Sequence, residues 1–566
     1  MIRFRPRHQT KKTVDPDEIF LDARNLPSFD QQQFEDQLEK PIAKSTIYWL
    51  GFVFLLISVI FISKIGMIQI GQGDEFALRS ERNRLRHNII FPDRGSILDQ
   101  TGEILAWSNN GSRQYLDQPG LAHVVGFLGL ANEKELKENN YHPKELIGKK
   151  GVEKIFNSSL SGVAGRKIEE VDARNQIFSD FLVSSPEKGD SVKLSIDSRV
   201  QTVLYNSIKN VAEEHGFIGG AGTIMNIKTG EVLSMVSYPE YEPNAMVNGQ
   251  DPERIREFLN NERNPFLNRA ISGTYTPGSV VKPLVAVGVL AENIIDPETR
   301  ILSTGTLSVP NPYHPDQPTV FRDWRAHGQV DLRRALAVSS NIYFYQVGGG
   351  YQDQPGLGIS KINKYYDHFG LGRPTGINIP KEASGIIPDP EWKFRNFDGE
   401  PWRLGDTYHA AIGQFGMMTT PIQITRAIAS IANDGYLVTP TVKHTDHPEQ
   451  KKINWQATSL DLEIVREGLR DAVTSGTSRI LNTPYVKVAS KTGTAQIGTQ
   501  RRYVNSWMTG FYPYDDPEWA FTVVMEKGPQ NNQVGAGVAF RSVLDWMNEN
   551  APEYLGLPNK EKEDDH

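Results

Sequence analysis

TPGSVVKPL, Thr276 to Leu284, starts a helix and puts a hydroxyl and an amine on one face of it. Pro277 and Gly278 break any preceding element. Pro283 has no amide hydrogen and crowds the carbonyl four residues back, so a helix here begins at about Ser279. Lys282, three residues on, shares a face with Ser279. The serine amide stands at the helix start, where no helix carbonyl claims it and the helix dipole favours an anion. A nucleophile with its own base is one reading of this stretch. The ordinary use of serine at a helix start is the other.

Two later motifs weigh toward the first reading. SSN, Ser339–Asn341, sits in RRALAVSSNIYFYQVG, a predicted helix leading into another. KTGT, Lys491–Thr494, follows the strand-like run YVKVAS. Each pattern also has a second copy that fits a plain turn or loop: SPEK at Ser185–Lys188, SNN at Ser108–Asn110 and KTG at Lys228–Gly230. Only Ser279, Ser339 and Lys491 run in the order SxxK, SxN, KTG.

The chain has 566 residues, too many for a single ordinary domain. A hydrophobic share of 38% with 23% charged residues suits a folded, mostly soluble protein. The net charge of −7 gives no basic footprint for nucleic acid. The absence of cysteine excludes disulfides, thiolate metal sites and cysteine nucleophiles. One segment breaks the soluble pattern: STIYWLGFVFLLISVIFISKIGMIQI, Ser45–Ile70, uncharged from Ile47 to Ile62. At ~1.5 Å per residue it can cross a hydrocarbon core of ~30 Å. An uncleaved anchor fits better than a signal peptide, because the preceding 44 residues are too long a leader and no small-x-small site follows. Basic residues flank both ends, Lys40 and Lys44 before and Lys64, Arg79, Arg82 and Arg84 after, so charge does not orient the span.

The expected organisation is a flexible tail over 1–44, the span at 45–70, a small mixed module over 71–190, a large domain over 191–550 and a charged tail over 551–566. DQTG, Asp99–Gly102, predicts a hairpin turn. VQTVLYNSIKNVAEEHG predicts an amphipathic helix over 200–216, and GGAGTIMNIKTGEVLSMVS predicts two strands around KTGE. The fold class is α+β: an antiparallel sheet with helices packed on it.

The ordered motif set resembles the serine acyl-transferases that bind penicillin. RNRLRHNIIFPDRGSILDQTGEILA resembles their membrane-proximal module, and GKKGVEKIFNSSLSG and NRAISGTYTPGSVVKP resemble other family segments. So do FGLGRPTGINIPKEASGIIPDPEWK, GDTYHAAIGQFGMMTTPIQI and NSWMTGFYPYDDPEWAFTVVME, and together they cover about residues 80 to 545. FRDWRAHGQVDL and NIYFYQVG point to the class B, monofunctional, elongation-type group, penicillin-binding protein 2. The resemblance implies a transpeptidase fold on a membrane-proximal pedestal of the dimerisation type. The implied activity is a peptidoglycan D,D-transpeptidase that joins stem peptides ending D-Ala-D-Ala through a serine acyl-enzyme and is acylated by β-lactams. It implies residues 1–44 inside the cytoplasmic membrane and 71–566 outside, no cofactor, no nucleic acid, and as partners a SEDS-family glycan polymerase and elongation-complex proteins.

The resemblance also assigns roles. Ser279 is the nucleophile and Lys282 its base, neutral because burial and the like charge of Lys491 lower its pKa. Ser339 relays a proton to the leaving amine, and Asn341 orients Lys282 and holds the substrate amide. Thr492 and Thr494 hold the terminal carboxylate, Gly493 permits close backbone approach, and the amides of Ser279 and Thr494 form the oxyanion hole. Two rival readings use the same residues differently. One is a D,D-carboxypeptidase or β-lactamase that resolves the acyl-enzyme with water; the other is a non-enzymatic scaffold that activates a polymerase. GQF, Gly413–Phe415, departs from the family's usual GQG, which predicts different loop packing nearby, and FPDRG departs before the first RG. His314, Asp316, Asp323 and His327 are metal-ligating residue types in a stretch that also reads as a polar loop, and no metal is assigned to them.

Overall fold

The computed structural model describes residues 43–558 apart from 110, 140, 172–175, 250, 312, 313, 315, 446, 499–501 and 533. The expected flexible tail therefore lies, but for residues 43 and 44, outside the described residues, as do residues 559–566 of the charged tail. The chain groups into two compact units, and the 71–190 segment contributes to both. One comprises residues up to 87 with 168–181. It carries helix α1, Lys44–Gly66, which continues as a wider turn through Gly71. These 28 residues are long and apolar enough to cross a membrane, and none of the α1 side chains is buried.

The other unit comprises 88–167 and 182–566. Its centre is a five-stranded sheet. The strands are β1 (Gly219–Asn226), β2 (Val232–Tyr238), β3 (Ala489–Ile497), β4 (Tyr503–Tyr512) and β5 (Trp519–Pro529), in the order β2-β1-β5-β4-β3. Every pairing is antiparallel, and β2 and β3 are the two outer strands. Strand side chains alternate between faces. Along β5, Phe521, Val523 and Met525 join one hydrophobic cluster while Ala520 and Val524 join another.

The first cluster includes α2 (Ser198–His215) and the C-terminal helix Ala536–Asn550. Asp197 caps α2 by accepting from the amides of Arg199 and Val200, and Gly216 ends it at φ +71°. The second cluster holds three further helices. They are α3 (Lys282–Ala291), α4 (Leu332–Val338) and α5 (Asn341–Gly349), which precede the wholly buried helix Pro421–Ala432. Residues 551–557 also belong to the fold. Ala551 and Leu555 are buried, and the Tyr554 hydroxyl donates to Asp197 Oδ2 at 2.7 Å. The hairpin at Asp99–Gly102 and the KTGE turn form where the residue patterns place them.

Candidate active site

Ser279 lies in a single 3₁₀ turn, Gly278–Val281, that runs directly into α3. Pro283 explains the division. It fits the first turn of an α-helix and cannot sit deeper, so the regular helix starts at Lys282. Gly278 adopts φ +59°, a left-handed conformation that glycine accepts without strain. Its amide donates to Gly413 O at 2.9 Å. The Ser279 amide, second in the turn, has no helical carbonyl to reach.

The SSN motif forms the junction between α4 and α5. Ser339 closes α4 at φ +58°, which costs a non-glycine residue about 1–2 kcal/mol and so needs support from its surroundings. Ser340 caps α5, accepting from the Tyr343 amide. Lys282, fully buried, turns its ammonium onto this junction. Nζ donates to Ser339 O at 2.8 Å, to Ser339 Oγ at 3.3 Å and to Asn341 Oδ1 at 2.8 Å, and stands 5.5 Å from the centre of the Phe344 ring.

The KTGT motif lies on the outer strand β3. Lys491 is also fully buried, and its Nζ donates to Thr492 O at 2.9 Å. The Thr492 hydroxyl donates to Thr477 Oγ1 at 2.7 Å. Ser279, Ser339, Asn341, Thr492, Gly493 and Thr494 line one cleft of about 560 Å³. A larger hollow of about 680 Å³, around Tyr436, Arg466 and Asp515, holds no serine or threonine.

Burial pushes Lys282 down to about 7, against the pull of the Asp323 carboxylate. Lys491 is held well below the ordinary lysine value, first by burial and then by the charge on Lys282. Burial is the first cause for both lysines, and at Lys491 the like charge of Lys282 adds to it. Ser279 and Lys282 share a face but are not hydrogen-bonded to each other. Among the described residues the Ser279 hydroxyl has no hydrogen-bond partner, and the Lys282 nitrogen is turned to the SSN junction. Gly493 is also tightly packed within the protein itself. A Cβ there would stand 2.9 Å from Pro277 O and from Val280 Cγ1, so the close approach is that of the serine-bearing turn.

The stretch with metal-ligating residue types divides. His314 and Asp316 are exposed, while the side chains of Asp323 and His327 are buried with 3.6 Å between Oδ1 and Nε2. Among the described residues no three such side chains gather as a metal set. Asp323 has another task. Its Oδ2 accepts from the amides of Asn341 at 2.7 Å and Ile342 at 3.0 Å and from Ser340 Oγ at 2.9 Å. It is a second cap on α5, where a carboxylate meets the positive end of the helix dipole. Sequence reasoning missed this role, and also missed Thr477, Trp324 and Gln414, which reach the cleft from distant loops.

A half-buried hydroxyl, two buried amines held below their ordinary pKa values and an unclaimed amide can together support acyl transfer. Comparison with known proteins agrees with that chemistry. Residues 220–545 match the penicillin-binding protein transpeptidase domain family, and 106–194 match the penicillin-binding protein dimerisation domain. The peptidoglycan D,D-transpeptidase MrdA of Haemophilus influenzae is 30% identical over 80% of this chain and 72% of its own length. The penicillin-binding protein PBP2 of Helicobacter pylori, solved in complex with MreC, superposes with a TM-score of 0.69 at 26% identity, over 82% of this chain and 99% of that one. A chain from a peptidoglycan synthase complex that coordinates polymerization and crosslinking superposes with a TM-score of 0.70 at 25% identity, over 91% of this chain and 99% of that one.

Proposed function

This chain belongs to the penicillin-binding protein transpeptidases, and from that premise we propose how its cleft performs the reaction. The chain is a serine-type peptidoglycan D,D-transpeptidase of the elongation type. A stem peptide ending D-Ala-D-Ala lies along β3, its terminal carboxylate near Thr492, Thr494 and Lys491. Ser279 Oγ attacks the carbonyl of the penultimate residue as Lys282, in its neutral form, takes the hydroxyl proton. The amides of Ser279 and Thr494 hold the oxyanion, and losing one such donor typically costs about 10²–10³ in rate. Ser339 passes the proton on to the departing D-Ala amine. An amine from a second stem then attacks the ester, which forms the cross-link and frees Ser279. Asn341 orients Lys282 throughout. The observation that carries this assignment is the three-fold grip of Ser339 and Asn341 on the fully buried Lys282 beside Ser279.

The test is intact mass after exposure to a β-lactam, followed by peptide mapping. The expected adduct is a single one on Ser279, absent from Ser279→Ala and persistent against water. An adduct on another residue, or none, overturns the assignment. Rapid hydrolytic loss of the adduct favours a hydrolase instead.

Three further elements complete the proposal. The apolar helix supports a single-pass anchor in the cytoplasmic membrane, with residues 1–44 inside and 71–566 outside. The segment over 71–190 serves as a membrane-proximal pedestal, and 191–550 as the transpeptidase domain. The complexes of the relatives support elongation-complex proteins and a SEDS-family glycan polymerase as partners.

A further inference from the structure

Phe415 adopts φ +59°, a left-handed conformation that a bulky side chain rarely takes. Its ring explains why it stays there. It lies 5.7 Å from Phe397 at an interplanar angle of 14°, 5.4 Å from Trp402 at 89° and 6.0 Å from Trp392 at 74°. The Lys393 ammonium stands 5.6 Å from the ring centre and is itself fixed by Asp406 at 2.7 Å. Stacked and edge-on rings with a cation on one side form a specific box.

The box holds a turn that touches the reaction centre. Gly413 O accepts from the amide of Gly278, the residue before the nucleophile. Gly413 N and Gln414 N donate back to Ala410 O and His409 O. Gln414, between the two fixed points, lines the cleft together with Ser279. Among the described residues its carboxamide has no hydrogen-bond partner, although it offers two donors and one acceptor. A primary amide complements a peptide group, giving to its carbonyl and taking from its N–H.

We propose that Gln414 binds a main-chain peptide group of the stem peptide, and that Phe415, locked in its aromatic box, is the positioning residue that holds Gln414 at the cleft. This deepens the transpeptidase reading and rests on it. The bond is made to ground state and transition state alike, so it governs KM more than kcat.

The test uses the full-length protein in detergent, a β-lactam, and a peptidyl thioester analogue of the D-Ala-D-Ala terminus. Gln414→Ala is expected to raise KM for the thioester about three- to tenfold, the worth of one neutral hydrogen bond, with kcat little changed and Ser279 still labelled by the β-lactam. Phe415→Gly, which relieves the backbone, is expected to raise KM likewise, Phe415→Tyr to restore it, and the Gln414→Ala/Phe415→Gly double variant to add little. A purely structural Phe415 would move Tm and leave KM alone. Normal labelling of Ser279 with unchanged KM in Gln414→Ala overturns the proposal and spares the transpeptidase reading. A wild-type protein not labelled at Ser279 overturns both.

Discussion

At the scale of single residues, the proposed mechanism turns on the protonation of Lys282. With its pKa near 7, the amine is charged below neutrality and free to accept a proton above it. The second-order rate of β-lactam acylation should therefore rise with pH through an apparent pKa near 7, measured under subsaturating inhibitor. The same shift couples to stability. The folded chain releases the Lys282 proton at about 7, whereas the unfolded chain keeps it to about 10.5. Between these values the unfolded state binds more protons, so stability rises with pH. The Tm of Lys282→Met relative to wild type should accordingly fall as pH is raised from 7 to 10. Calorimetry across that range checks it, and a pH-independent difference would mean that Lys282 does not change its ionisation on folding.

At the scale of elements, two contacts hold the motifs in register. Asp323 fastens the start of α5 from a loop 18 residues upstream. Asp323→Ala should cost about 1–2 kcal/mol by denaturant titration, the worth of a helix cap, and should slow acylation more than that loss explains, because Asn341 is the first residue of the helix it caps. Gly413, at φ +73°, meets Gly278 O at 2.3 Å if given a Cβ. Gly413→Ala should therefore displace the serine-bearing turn and lower the acylation rate by an order of magnitude or more, as read by stopped-flow labelling. These contacts also mark the limit of what the sequence discloses. Ser279, Lys282, Ser339, Asn341 and the KTGT strand were legible because each lies in a local pattern: a proline that fixes a helix start, a helix junction, a strand after a turn. Asp323 suggested a metal ligand because its loop showed residue types and not partners. Thr477 belongs to no local pattern, and Gln414 stood out only as part of GQF; the tertiary fold brings both to the cleft. How far burial lowers the two lysines was equally hidden, since burial is a property of the packed chain.

At the scale of the whole molecule, the anchor and the catalytic fold predict a topology that the cysteine-free chain makes easy to read. In intact cells Glu549→Cys, exposed on the C-terminal helix, should react with a membrane-impermeant maleimide, and Gln9→Cys should react only after lysis. Labelling of both without lysis, or of neither, contradicts the proposed orientation.

The cleft borders an outer strand of its sheet, and the proposed oxyanion hole is built from backbone N–H groups. Such groups are common to every amino acid but proline, so an exchange of side chains leaves them in place. On that proposal a β-lactam and the stem peptide are held by the same backbone atoms. The side chains around that edge are then where a substitution can weigh drug against precursor.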